Sequence, residues 1–152
     1  MELVSLLTQD CTKSSLPINS KKRVIEYISQ LGRLKLPEVS EYVIQESLLN
    51  REKLGSTGIG KGIALPHGRL KNIDKSVAIF VTTQTAVQYD TIDNQPVDIF
   101  CALLIPEDQC KAHLSTLSSI AKLLKDKEVC RKIRNAETDE QLYNILMENS
   151  EL

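Results

Sequence analysis

His67 stands between Pro66 and Gly68, at the end of a segment from Arg51 to Gly68 in which four glycines fall within the eight positions 55 to 62. Glycine lets backbone approach backbone, or a ligand, without a clashing Cβ. Pro66 fixes the chain entering His67 and Gly68 frees it on leaving, so the imidazole is presented rather than simply packed. Imidazole is among the side chains that form covalent catalytic intermediates. With an unperturbed pKa of about 6.5 it is mostly neutral, and nucleophilic, near neutral pH. A phosphoryl group placed on it needs donors for its oxygens, which backbone N–H groups and the hydroxyls of Ser56 or Thr57 could supply. Arg51, at the far end of the segment, carries the planar fork that suits phosphate. The plainer alternatives are a loop histidine with no task and a solvated arginine stabilising a helix C-terminus.

His113, the second of the two histidines, falls one turn into an expected helix, on the side of Leu117 and Ile120. It is either a half-buried core histidine or a second imidazole brought beside the first. In the latter case the positive end of the helix would keep it neutral. Residues 55 to 61 also follow the phosphate-loop pattern G-x-x-x-x-G-K, but Gly62 stands where a Ser or Thr should hold Mg²⁺, and Pro66 leaves no room for the long helix such a loop opens. A dinucleotide fingerprint fails as well, because residues 58 to 62 read G-x-G-x-G. Cysteines at 11, 101, 110 and 130 show no CxxC spacing. A zinc site is therefore poorly supplied, no metal or cofactor is expected, and the thiols read as those of a reduced, cytoplasmic protein with Cys101 buried in a strand.

The elements that must position these residues follow from pattern. The 152 residues suit one compact domain, 1–152, and 41% hydrophobic with 26% charged residues is ordinary for a globular chain. A net charge of −1 gives no pull toward nucleic acid or anionic lipid. Apolar runs stay far below the roughly 18 residues of a membrane span, and the N-terminus lacks the basic region and cleavage site of a signal peptide. Residues 1–18 are expected as an edge segment. Ser20 caps a helix carrying Val24, Tyr27, Ile28 and Leu31 that stops at Gly32. Pro37 opens a second helix, buried through Val39, Tyr42, Val43 and Leu49 and running toward Asn50. The glycine-rich stretch reads as a loop or irregular hairpin ending in a short strand at 62–65. Residues 71–75 form a polar turn, 77–83 a strand, 86–89 a short strand and 93–96 a turn. Residues 97–105, apolar on both alternating faces, suit a central strand covered on both sides. Asp108 is expected to cap a long helix with a stripe of Leu114, Leu117, Ala121 and Leu124. A short helix follows at 127–135, and Thr138 to Gln141 form a capping box before a last helix using Leu142, Ile145 and Leu146. The predicted class is mixed α/β, a sheet with helices packed on it.

The run Arg51-Glu52-Lys53, Gly55-Ser56-Thr57-Gly58-Ile59-Gly60, Gly62-Ile63-Ala64, Pro66-His67-Gly68 resembles the active-site signature of enzyme IIA proteins of the fructose–mannitol class. These belong to the bacterial phosphoenolpyruvate-dependent phosphotransferase system. Ile92 to Asp98 and His113 to Ser118 look similar to the same family, and the likeness spans essentially the whole chain, leaning toward its free-standing nitrogen-regulatory branch. The resemblance implies a phosphoryl relay in which a histidine-phosphocarrier protein phosphorylates His67 on Nε2, with Arg51 and His113 as the matching active-site arginine and second histidine. It also implies a mixed, mainly parallel sheet flanked by helices. No IIB or IIC domain is present in the chain, which tilts the expectation toward regulatory target proteins as partners, with transfer to a separate IIB for fructose or mannitol uptake as the alternative. The apolar part of the expected partner surface would come from Ile59, Ile63 and Leu65, although the core could equally claim the last two.

Overall fold

The computed structural model describes residues 3–149. In chain order its elements are α1 (Leu3–Leu6), β1 (Leu7–Leu16), α2 (Lys21–Lys35), α3 (Glu41–Lys53), β2 (Gly58–Gly60), β3 (Ile63–Ala64), β4 (His67–Leu70), β5 (Val77–Val87), β6 (Val97–Pro106), α4 (Cys110–Leu123), α5 (Lys127–Asn135) and α6 (Asp139–Asn149), with a short 3₁₀ turn at Glu107–Gln109 before α4.

β6 lies at the centre because both of its faces are apolar. Phe100, Ala102 and Leu104 meet α2 and α3 in one core cluster, while Ile99, Cys101, Leu103 and Ile105 meet α4, α5 and α6 in the other. A strand buried on both faces needs helices on both, and full burial of each such side chain contributes about 1.5–3 kcal/mol. The sheet runs β1-β5-β6-β3-β2, with β4 also paired to β6. β1–β5, β3–β6 and β4–β6 are parallel; β5–β6 and β2–β3 are antiparallel. The expected mixed, mainly parallel sheet is therefore the one observed.

β3 and β4 are two pieces of one strand laid along the same edge of β6. Between them the Pro66 carbonyl still accepts the Leu103 N–H at 3.0 Å, so the proline interrupts the strand without freeing it. His67 is consequently the first residue of a strand, registered against Leu103, which sets aside the plainer alternative of a loop histidine. Of the short strand expected at 86–89, residues 86–87 are the end of the longer β5, which has a register shift between Thr82 and Val87, and residues 88–89 lie beyond it.

Several helix details differ from expectation for identifiable reasons. Gly32 does not stop α2, which continues to Lys35; a Cβ there would stand 2.6 Å from Leu104 Cδ1, so this glycine lets the helix settle on β6. α3 begins after Ser40, whose hydroxyl accepts the Val43 N–H at 3.1 Å, and not at Pro37. With the start moved, the buried side becomes Ile44 and Leu48, and Tyr42 and Val43 face solvent. Asp108 lies in the 3₁₀ turn, and α4 has Gln109 at its N-cap with no side-chain cap bond. The inward face of α4 carries His113, Thr116, Ile120 and Leu124, while Leu114 points out. The capping box at α6 forms, with Thr138 Oγ1 accepting the Gln141 N–H at 3.0 Å; the Gln141 side chain reaches back one residue further than expected, to the Glu137 N–H.

Candidate active site

α3 and β4 run against each other closely enough to juxtapose two pairs of residues. Ser47 and Arg51 are one turn apart on α3, so they share a face. Ser47 lies over Gly68, where a Cβ would stand 2.2 Å from its Oγ, and Arg51 lies over His67. The Ser47 hydroxyl donates to the Arg69 carbonyl at 3.0 Å, tying the helix to the strand. Gly68 is thus required by close approach, and that approach is what brings Arg51 to the imidazole.

His67 is half-buried, and both of its ring nitrogens are committed. Nδ1 lies 2.8 Å from the Leu65 carbonyl, an oxygen that can only accept, so Nδ1 carries the proton. Nε2 accepts the Arg51 Nε–H at 3.1 Å, and a guanidinium can only donate. Both partners select the same tautomer: Nδ1 protonated, with the lone pair on Nε2, where it accepts from Arg51. Burial holds the imidazole pKa below its usual value, outweighing the Leu65 hydrogen bond, which raises it; the Arg51 charge lowers it further, against a rise from Glu52. The ring is therefore a neutral nucleophile at pH 7. Arg51 is held in turn by its Nη1, which donates to the Gly55 carbonyl at 2.8 Å.

His113 opens on the same cleft, a groove of about 1350 Å³ lined also by Arg51 and His67. It is 1% exposed. Its Nε2 is 3.0 Å from the Ser76 hydroxyl, and its buried Nδ1 has no hydrogen-bond partner among the described residues. Burial lowers its pKa, so it too is neutral. The structure thus joins Arg51 and His67 directly and sets His113 in the same cleft without a bond to either.

The glycine-rich stretch forms the β2–β3 hairpin with Gly60, Lys61 and Gly62 all at positive φ, and no helix opens from it. Neither Ser56 nor Thr57 lines the cleft. Thr57 is buried, with its hydroxyl committed to Glu52 and Tyr89, so it is not a donor for a group on His67. Ile63 and Leu65 belong to the core, and Ile59 does not line the cleft. The apolar residues that do rim it are Tyr42, Val43, Leu54 and Leu114, with Tyr42 69% and Leu114 67% exposed.

Sequence reasoning also missed the residues that brace the hairpin. The Asp93 carboxylate accepts from the Lys61 N–H at 2.8 Å, from Thr91 Oγ1 and from the Gln95 N–H, which holds its pKa below the ordinary carboxylate value. Arg134 pairs with Asp98 and donates to the Lys61 carbonyl at 2.8 Å. Asp93 and Asp98 bracket a turn signal, which was the available hint; Arg134 gave none. Burial pushes the Cys101 thiol up to about 12, so it stays an inert part of the core.

The chain as a whole has counterparts among known proteins. The chain belongs to the EIIA type 2 family of the phosphoenolpyruvate-dependent sugar phosphotransferase system, whose profile matches residues 5–149. Within that family it is similar to the nitrogen regulatory protein of Klebsiella oxytoca, at 49% identity over 97% of this chain and 91% of that one. It is also similar to the nitrogen regulatory protein of Pseudomonas aeruginosa, at 39% over 97% and 96%. The crystal structure of nitrogen regulatory protein IIA-Ntr from Neisseria meningitidis superposes with a TM-score of 0.87 at 32% identity, covering 93% of this chain and 97% of that one. Among the described residues no helix is long and apolar enough to cross a membrane.

Proposed function

We propose that this chain is a cytoplasmic phosphocarrier that accepts a phosphoryl group from a histidine-phosphocarrier protein onto Nε2 of His67, and that it serves nitrogen-related regulation. The observation that carries the reading is the paired hydrogen bonding of His67, which leaves its lone pair on Nε2, next to Arg51 and on the cleft. In the transfer step the Nε2 lone pair forms the new N–P bond while the P–N bond of the donor breaks and its electron pair returns to the donor ring. Nδ1 keeps its proton, and the Leu65 carbonyl that accepts it stabilises the positive charge growing on the His67 ring. Nε2 no longer accepts from Arg51 once phosphorylated, so the guanidinium is free to turn its N–H groups to the phosphoryl oxygens. Such a transfer asks for in-line positioning and charge stabilisation rather than a metal. The apolar rim of Tyr42, Val43, Leu54 and Leu114 suits a transient partner that must bring its own phosphohistidine to the cleft.

The nitrogen regulatory relatives favour partners that read the charge on His67. The family's link to sugar uptake supports the alternative, transfer to a separate IIB component. Incubation with phosphoenolpyruvate, enzyme I and the carrier protein, followed by mapping of acid-labile phosphate, should label His67 in the wild type and nothing in His67→Ala. An unlabelled His67, or full labelling of His67→Ala, rejects the phosphocarrier reading. Pull-downs with His67→Ala and the charge-mimicking His67→Asp separate the two branches: regulation requires that their partner sets differ.

A further inference from the structure

Glu52 follows Arg51 in the last turn of α3, and its side chain is only 5% exposed. A carboxylate so deep must be fully partnered. It accepts the Thr57 N–H at 3.3 Å and the Thr57 hydroxyl, and it pairs with Lys21 Nζ at 3.1 Å. Because the single Thr57 proton goes to the carboxylate, the 2.9 Å contact between Thr57 Oγ1 and Tyr89 is a bond that the phenol donates. The Lys21 ammonium lies 4.2 Å from the centroid of the Tyr89 ring. Four segments are thus tied at one point, and every polar group there is used within the network, which leaves no seat for a ligand.

What the knot fixes is the turn that follows α3. Gly55 in that turn has φ +148°, and no atom lies within 4 Å of where its Cβ would be. Leu54 and Ser56 are exposed. Packing therefore does not hold this turn. Its anchors are the backbone bonds from Leu54 N–H and Gly55 N–H back to α3, the Leu65 N–H bond to the Thr57 carbonyl at 3.0 Å, the Gly58 N–H bond to Ser56 Oγ at 3.1 Å, and the clamp of Glu52 on both the N–H and the hydroxyl of Thr57. Yet the Gly55 carbonyl is the group that grips Arg51 Nη1.

We propose that Glu52, acting through Thr57, is a positioning residue for phosphoryl transfer: it fixes the turn at 54–57 so that the Gly55 carbonyl holds Nη1 of Arg51 while the Nε–H addresses Nε2 of His67. The inference rests on the phosphocarrier reading and adds a residue to it. When the lone pair of Nε2 becomes the N–P bond, Arg51 loses its His67 partner. The Gly55 carbonyl then remains as the pivot that keeps the guanidinium over the site. A loosened turn would let it swing out, and misplacement of about 1 Å is enough to slow such a step substantially.

The test is a cycle of Thr57→Val, Arg51→Ala and the double variant, read as single-turnover phosphoryl transfer from the phosphorylated carrier protein. Thr57→Val should lower the maximal rate, read at saturating carrier, about tenfold; Leu54 of the rim lies in the same turn, so the rate at saturation and not the half-maximal concentration carries the test. Thr57→Ser, which restores the hydroxyl, should recover the rate. On the Arg51→Ala background, Thr57→Val should change the rate less than twofold. A Thr57→Val rate within twofold of wild type, or a tenfold loss that persists without Arg51, overturns the proposal while leaving the phosphocarrier reading intact. A wild-type protein that takes up no phosphoryl group overturns both. If Thr57→Val does not fold, Glu52→Gln goes through the same cycle with the same criteria.

Discussion

Replacing Gly68 by alanine tests whether the close contact of α3 with β4 builds the site. The added Cβ would meet Ser47 Oγ at 2.2 Å, Ser47 Cβ at 3.0 Å and the Ser47 carbonyl carbon at 3.2 Å. The first can be relieved only by turning the hydroxyl away from the Arg69 carbonyl, which loses a hydrogen bond worth about 1 kcal/mol. The others require helix and strand to separate by a few tenths of an ångström, an overpacking cost of about 1–3 kcal/mol. The total is about 2–4 kcal/mol, and at roughly 2–4 °C per kcal/mol for a chain of this size the Tm should fall by about 4–16 °C. Ser47→Ala removes the 2.2 Å contact, so Gly68→Ala combined with Ser47→Ala should be more stable than the sum of the two single variants by about 1 kcal/mol. The same separation lengthens the Arg51–His67 bond, so transfer to His67 should slow even where the variant is folded. Urea and thermal unfolding of the three variants, beside a transfer assay, decide the matter. An unshifted Tm, or strict additivity with Ser47→Ala, would refute the reasoning.

Arg51→Ala should slow transfer about 10–100-fold, from loss of a charge-assisted hydrogen bond worth about 1.5–3 kcal/mol, with a change in urea stability of about 1 kcal/mol or less; an unchanged rate counts against the site. His67 and His113 both have lowered folded-state pKa values. The unfolded chain therefore binds more protons as pH falls through the ordinary histidine value, and stability present above about 6.5 should be lost below it. A urea midpoint flat between pH 7.5 and 5.5 would contradict this, and Asp10 and Asp93, with lowered carboxylate values, act only at lower pH. Tyr89→Phe should cost about 1 kcal/mol in urea unfolding through loss of the buried bond to Thr57. Leu114→Asp, on the exposed rim, should raise the carrier concentration for half-maximal transfer while leaving the unfolding midpoint in place; a stability loss instead would mean the residue is structural.

What the sequence made legible was whatever depends on residue type at short range. The hairpin of glycines, the strand at 97–105 and the conjunction of Arg51 with His67 all follow from local pattern or from the family likeness. The misreadings came where a residue has two physical uses. Gly32 is as good a helix stop as it is a packing notch, and only the position of Leu104 decides. Pro37 suits a helix start, but the residue that caps α3 is Ser40. Choosing the proline set the wrong phase and turned Tyr42 and Val43 inward, when their exposure on the cleft rim is the more informative fact. On α4 the apolar Leu114 was assigned to the core, whereas His113 and Thr116 occupy it, His113 beside the sequence-distant Ser76 hydroxyl and Thr116 against the Ala112 carbonyl one turn back. Glu52 drew no reading of its own, because nothing in a sequence marks a carboxylate as buried.

Arg51 and His113 come from opposite kinds of helix end, and this bears on how tightly a phosphoryl group would be held. Arg51 occupies the last turn of α3, where the helix dipole presents partial negative charge, and His113 lies one turn into α4, near a partial positive end. An anion on Nε2 of His67 would thus be met at hydrogen-bond distance by Arg51, on a helix end that disfavours the anion, while Arg69 and Lys71 line the cleft and burial keeps the second histidine uncharged. That is weak stabilisation compared with a phosphate cradle built from consecutive backbone N–H groups. For an enzyme that keeps its anion it would be a poor design. For a carrier it is the useful one, because a phosphoryl group bound too well could not leave for the next nucleophile. Adding a cation at the cleft, for instance by Asn50→Lys, should then slow the outward transfer more than the inward one.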